Sequence, residues 1–261
     1  MNFTQSTLTA TLSSLLLSTT LSSLQTKANE AQSSELSTIE TITVTSDFRQ
    51  QNLLKTPSAL SVLTAIEVQQ RNAQNLEELV AVIPNVNFAS GSQRARYYQI
   101  RGIGERSQFS QPVNPSVGIV IDGVDFSGIG SVATMFDVNQ VEVYRGPQGT
   151  RFGANALAGL INIETNKPSD TFEGKVKLLA GNYNTQGLGS VVSGPITEGV
   201  NYRIAAEQFK NDGFITNNFL KREDTNQRDE LSVNAKLAIE TIDNITLGIN
   251  FKHLSMDNGY D

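Results

Sequence analysis

From residue 171 to the end of the chain, apolar and polar residues alternate with a period of two, the signature of strands with one greasy face. Phe172, Val176 and Leu178 share one face, and Glu173, Lys175 and Lys177 take the other. Val200, Tyr202, Ile204 and Ala206 oppose Asn201, Arg203 and Glu207. Leu231, Val233, Ala235, Leu237 and Ile239 oppose Ser232, Asn234, Lys236 and Glu240, and Ile245, Leu247, Ile249 and Phe251 oppose Thr246, Asn250 and Lys252. Residues 185–194 form a weaker run. Each run is close to the length of about 9–11 residues that a tilted strand needs to cross a bilayer. A soluble sandwich also alternates, so the connections have to decide. Residues 194–199 and 241–244 are tight, whereas 211–228 is long and polar. Short turns at one end and longer loops at the other favour a transmembrane barrel.

Upstream the pattern changes. Residues 47–168 read as a compact α+β domain. Ala59–Thr64 is a short apolar strand, and Thr64 with Glu67 forms a capping box that opens a helix. Asn75 with Glu78 repeats that signal, Leu76, Leu79, Val80 and Ile83 supply the apolar stripe, and Pro84 ends the helix. Short strands near 97–103, 117–124, 138–144 and 160–165 follow, punctuated by Gly and Pro. Before this domain, Glu40-Thr41-Ile42-Thr43-Val44-Thr45-Ser46 alternates apolar residues with threonines, which is strand chemistry. A lone strand lacks a backbone partner, so it either joins the edge of the following domain or is offered to another protein. Leu8, Leu12, Leu15, Leu16, Leu17, Leu21 and Leu24, followed by Ala28 and Ala31, resemble a secretory signal segment over 1–31, although no Lys or Arg precedes them. A Ser/Thr-rich tail is the other reading. Residues 32–46 are then a linker that carries the strand.

Composition narrows the chemistry. The 261 residues contain no Cys and no Trp, and His253 is the single His. No disulfide framework or thiolate metal site is available. No nucleophile–base pair is legible, so no catalytic residue is assigned and an enzyme is not expected. A net charge of −6 argues against nucleic acid as partner. Two glycine-rich stretches are false leads. Gly102-Ile-Gly104 opens no helix, and Gly146–Gly153 lacks the Lys-Ser/Thr ending of a phosphate loop.

Three stretches carry a family resemblance. Glu40–Ser46 resembles a TonB box. Ser116-Val-Gly-Ile-Val-Ile-Asp-Gly-Val124 resembles a plug strand and its turn. Val141-Glu-Val-Tyr-Arg-Gly-Pro-Gln-Gly-Thr-Arg-Phe-Gly-Ala-Asn-Ala-Leu-Ala-Gly-Leu-Ile-Asn-Ile163 is very similar to the end of the plug in TonB-dependent receptors. The resemblance implies an α+β plug followed by the first antiparallel strands of a transmembrane β-barrel over 169–261. It implies a receptor in the outer membrane of a Gram-negative bacterium, in contact with its lipids. Such a receptor binds a scarce solute, mostly an iron–siderophore complex, and passes it to the periplasm. Its partner is the TonB protein of the inner-membrane energy-coupling complex, and no cofactor is implied. Plugged barrels have about 22 strands, and the runs here are far fewer. A truncated remnant that does not transport, or a periplasmic plug-like binding module, is the alternative.

Residue roles follow from that resemblance. Glu40, Thr41, Ile42, Thr43, Val44, Thr45 and Ser46 would be the segment TonB grips. Arg101 and Arg145, each beside a turn glycine, would fork onto carboxylates of the barrel wall; a local salt bridge is the equal alternative. Arg94, Arg96, Tyr97 and Arg106 form a basic cluster in an acidic chain. They would either attract an anionic iron complex or bridge plug to wall.

Overall fold

The structure is a computed structural model that describes residues 43–46, 49–52, 59–90, 94–107, 109–240 and 245–259. The Leu-rich leader, together with Glu40, Thr41 and Ile42, lies outside the described residues. The chain divides into two compact units, Met1–Thr56 and Pro57–Asp261.

In the first unit, β1 (Thr43–Ser46) pairs antiparallel with β2 (Arg49–Asn52). Ser46 faces Arg49, so two residues separate the strands, and Val44 faces Gln51. The backbone partner of Thr43–Ser46 is the next stretch of chain. Arg49-Gln-Gln-Asn52 has no apolar alternation, so nothing in its pattern marks it as a strand. Proximity across a two-residue connection is what makes the pairing cheap.

The second unit begins with β3 (Leu60–Thr64), α1 (Ala65–Gln70) and α2 (Leu76–Val80). The strands β4 (Val86–Ala89), β5 (Tyr97–Ile100), β6 (Val117–Ile121), β7 (Val124–Asp125) and β8 (Val138–Tyr144) follow. A short helix α3 (Gly149–Phe152) precedes β9 (Gly159–Thr165). One sheet has the order β3-β8-β9-β6-β7, with β6 and β9 parallel, and β4 pairs with β5. Leu76, Leu79, Ile100, Ile119, Val141 and Ile161 are fully buried where the helices close over this sheet. A Cβ at Gly159 would strike the Tyr144 carbonyl on the adjacent strand, so only glycine fits there.

The capping box of α1 forms as expected. The Thr64 N–H donates to Glu67 Oε2 at 2.8 Å, and the Glu67 N–H donates to Thr64 Oγ1 at 3.4 Å. At α2 the sequence signal misleads. The Asn75 side chain makes no cap, the Leu76 N–H donates to the Ala133 carbonyl at 3.3 Å, and Glu78 accepts from the Gln74 N–H at 2.9 Å. The N–H that a cap would take, that of Glu78, turns instead to the Asn75 backbone carbonyl at 3.3 Å, and the buried Asn75 side chain is left without a hydrogen-bond partner.

The chain then runs through β10 (Glu173–Gly181), β11 (Thr185–Thr197), β12 (Val200–Asn211), β15 (Arg228–Glu240) and β16 (Thr246–Met256). These pair in that order as a five-stranded antiparallel sheet. A small hairpin, β13 (Ile215–Asn217) with β14 (Arg222–Thr225), occupies the long connection. The run seen as residues 185–194 is longer in the structure, because β11 continues to Thr197 through an irregularity at Pro195. No described helix is long and apolar enough to cross a membrane, which leaves strands unaddressed.

Register sorts the two faces. On one face Leu178 lies opposite Leu188, Val192 opposite Ile204, Tyr202 opposite Leu237, and Leu237 opposite Ile249. Leu178, Ile204, Leu247, Ile249 and Phe251 on that face are exposed. The other face carries Lys177, Arg203, Glu207, Glu230 and Lys236, and of these Arg203, Glu207, Glu230 and Lys236 are buried. Apolar residues outside and charges inside invert the soluble arrangement and match a barrel wall around a plug. Leu237→Arg in a complete receptor should therefore cost about 2–4 kcal/mol at mid-membrane depth. Denaturant unfolding in lipid vesicles checks this, and a cost no larger than that of the same change at Leu220, exposed in the long connection, would contradict the assignment.

Candidate functional site

The site is the seam between the α+β domain and the charged face of the five strands. Two carboxylates on turns reach across it. Asp137 precedes β8 with φ 59°, and Asp122 follows β6 with φ 49°. Short polar side chains tolerate this left-handed backbone better than most, and it ends each turn with a carboxylate pointing at the wall. Arg203 of β12 forks onto Asp137, with Nε at 2.7 Å from Oδ2 and Nη2 at 2.6 Å from Oδ1, and its Nη1 reaches Glu173 of β10 at 2.5 Å. Lys236 of β15 donates to Asp122 Oδ1 at 3.0 Å and to the Thr165 carbonyl at 3.1 Å. Asp122 also accepts from the Thr165 N–H at 2.9 Å and its hydroxyl at 2.8 Å. Both carboxylates, largely shielded from water, are thus charge-paired and hydrogen-bonded.

Nearer the long connection, Arg94 pairs with Glu230 at 3.4 Å and donates to the Ala133 carbonyl at 3.0 Å. Arg228 reaches Glu78 at 3.3 Å and Glu77 at 3.6 Å. Burial pushes the Glu77 carboxyl above its ordinary value, against the Ala95 N–H, Arg94 and Arg228, which favour its ionised form.

These positions revise the sequence expectations. Among the described residues, Arg94, Asp122, Asp137, Glu77 and Glu78 make the ion pairs to the charged face of the strands, and Arg101 and Arg145 make none. The Arg145 guanidinium donates to the Pro84 carbonyl at 3.5 Å, and Arg101 turns the chain at φ 54° with its N–H on Asn85. The basic cluster also divides. Arg94 is buried in its pair with Glu230. Arg96 donates to the Gly128 carbonyl at 2.5 Å and lies 5.1 Å from the Tyr97 ring centroid. Tyr97 is buried, with its hydroxyl on the Ser110 carbonyl. Only Arg106 of the four is exposed. It joins Arg101, Asn85, Asn87, Phe88 and Gln99 around an open hollow of about 630 Å³. Its two guanidinium groups, amides and one ring can hold an anionic group with an aromatic or apolar body.

Asp137 and Glu230 were not singled out from the sequence, Asp122 reads there as a β-turn residue, and Arg203 and Lys236 read only as the polar face of their strands. The signal was present for the wall residues: a charge at mid-strand, on the face opposite a continuous apolar stripe, needs a partner inside.

Comparison with known proteins agrees with this geometry. Residues 52–160 match the sequence model described as TonB-dependent Receptor Plug Domain. The pesticin receptor of Yersinia pestis is 31% identical over 143 residues, covering 54% of this chain and 21% of the relative. The ferrioxamine B receptor of Salmonella typhimurium is 28% identical over 155 residues, 59% of this chain and 21% of the relative. The crystal structure of the ferric yersiniabactin uptake receptor FyuA from Yersinia pestis superposes with a TM-score of 0.67 at 25% identity, covering 76% of this chain and 31% of that one. The chain thus spans about a fifth of the length of these curated relatives. Residues 52–160 thus form a TonB-dependent receptor plug domain, and its turn carboxylates lock onto the charged face of the antiparallel strands that follow it.

Proposed function

We propose that the complete protein is an outer-membrane receptor of a Gram-negative bacterium that binds a ferric siderophore and passes it to the periplasm with energy supplied through TonB. The observation that carries this reading is the seam. A domain held against a wall by ion pairs is a closure that can be released without breaking a covalent bond. The relatives' printed names, a ferrioxamine B receptor and a ferric yersiniabactin uptake receptor, support an iron-chelate solute. The connections support an orientation, with the short links at 198–199 and 241–245 periplasmic and the long link at 212–227 outside.

Of the basic cluster, Arg106, with Arg101 beside it, is the ligand group in this reading; Arg94, Arg96 and Tyr97 shape and anchor the plug around it. The test is a complete receptor titrated with a panel of ferric siderophores. Arg101→Ala with Arg106→Ala should weaken binding of an anionic complex at least about tenfold, the loss of roughly one charge-assisted hydrogen bond. Arg145→Ala serves as the control. Unchanged affinity in the double variant would make the hollow structural.

A further inference from the structure

A glycine inside a strand gives up side-chain packing and costs conformational entropy, so it often marks a close approach by another group. Gly189, in the middle of β11, is such a place. A Cβ there would lie 2.6 Å and 2.8 Å from ring carbons of Phe136, the residue before Asp137. At the other described glycines of the five strands and their connections, a Cβ would meet the strands' and connections' own atoms or nothing. We propose that Phe136 is a positioning residue for the plug. Its ring is keyed into the notch that Gly189 leaves in β11, which fixes the plug against the first three strands and holds Asp137 where Arg203 forks onto it.

The register builds the sides of the notch. Gly189 lies directly opposite Lys177 of β10 and Glu207 of β12. Directly opposed residues share a face, so these two long side chains flank the glycine on the plug side. Lys177 Nζ reaches Glu207 at 3.0 Å across β11 and lies 6.0 Å from the Phe136 ring centroid. Arg203 lies opposite Ser193, four residues along β11 from Gly189. The two footholds of the plug are therefore separated by about 13 Å along the strands. Adjacent side chains, Phe136 and Asp137, grip at separate points, which sets an orientation as well as a position. An ion pair alone does this poorly, because its attraction falls slowly with distance and tolerates a shifted partner. Contact between ring and backbone is steep and does not. The ring can also be withdrawn. A hollow of about 200 Å³ lies beside it, lined in part by Gln69, Asn72, Lys175 and Lys177. A ring expelled from the notch turns into that space without breaking a strand.

The experiment is amide hydrogen exchange on the complete receptor carrying this chain, in lipid vesicles. Neither solute nor TonB is present, so the result does not depend on the transport reading. Two amides report how the turn is seated. The Met135 N–H donates to the Gln74 carbonyl at 3.1 Å, and the Asn166 N–H donates to the Asp137 carbonyl at 3.0 Å. Gly189→Ala and Gly189→Val alter only the wall, yet they are expected to speed exchange at both amides, by about threefold and about tenfold. Phe136→Ala is expected to speed it about tenfold as well. In Gly189→Val with Phe136→Ala the valine fills the space the ring has left, and exchange should return to within about threefold of the unaltered receptor. Retained protection of β12 and β6 shows that the variants are folded, and if Gly189→Val loses it, Gly189→Ala with Phe136→Ala decides. Unchanged exchange in the Gly189 variants overturns the proposal, because the ring is then not keyed to the wall. A double variant as fast as the product of its single changes also overturns it, since the ring then acts only within the plug.

Discussion

Replacing Arg203 by Met should cost about 3–5 kcal/mol of stability in a complete receptor, the penalty for stranding a buried charge. The Asp137 side chain is only 4% exposed, and Arg203 makes two of its contacts as a fork. Glu173, the other partner, is half exposed and regains water, so it adds little. Removing both members of the buried pair, Arg203→Met with Asp137→Leu, should recover most of the loss, because no charge is then left inside. Denaturant unfolding of the three proteins in lipid vesicles measures this. A double variant as unstable as the single one would show that packing around Arg203, rather than its charge, holds the seam.

The second large effect concerns coupling. Val44→Pro should abolish uptake while leaving binding of the solute at the cell surface intact. Proline removes a backbone N–H and fixes φ in the middle of a four-residue strand, where no remaining pair can compensate. Each backbone bond contributes roughly 0.5–1.5 kcal/mol net, so a strand of this length has few to lose. Thr43→Ala keeps the backbone and should be mild. Surface binding and uptake measured on the same cells separate the two outcomes. Normal uptake by Val44→Pro would move the docking segment elsewhere in the linker.

Much of the fold was legible because it is written in local patterns. The outward residues Val176, Leu178, Tyr202, Ile204, Val233, Leu237 and Ile249 follow from a period of two, and the register places them together on one face. The capping box at Thr64 was legible because both partners lie within one turn. What was not legible is non-local. Arg94 meets Glu230 across 136 positions, Lys236 meets Asp122 across 114, and Arg203 meets Asp137 across 66. A basic residue near a turn has no sequence mark that says whether it faces a ligand or a wall, so Arg94 and Arg106 looked alike and are not. Asn75 failed as a cap because the Glu78 N–H that its side chain would take bonds the Asn75 backbone carbonyl instead. The hairpin partner of Thr43–Ser46 was invisible in the opposite way: it is adjacent, but four polar residues carry no period.

The central proposal is that a plug held by ion pairs is released through TonB to admit an iron chelate. Its most direct test is accumulation of radiolabelled iron by cells that express the complete receptor, with and without TonB, across a panel of ferric siderophores. The account predicts at least one chelate that binds the surface of both strains equally but accumulates only where TonB is present. Accumulation at the same rate in both strains would contradict it.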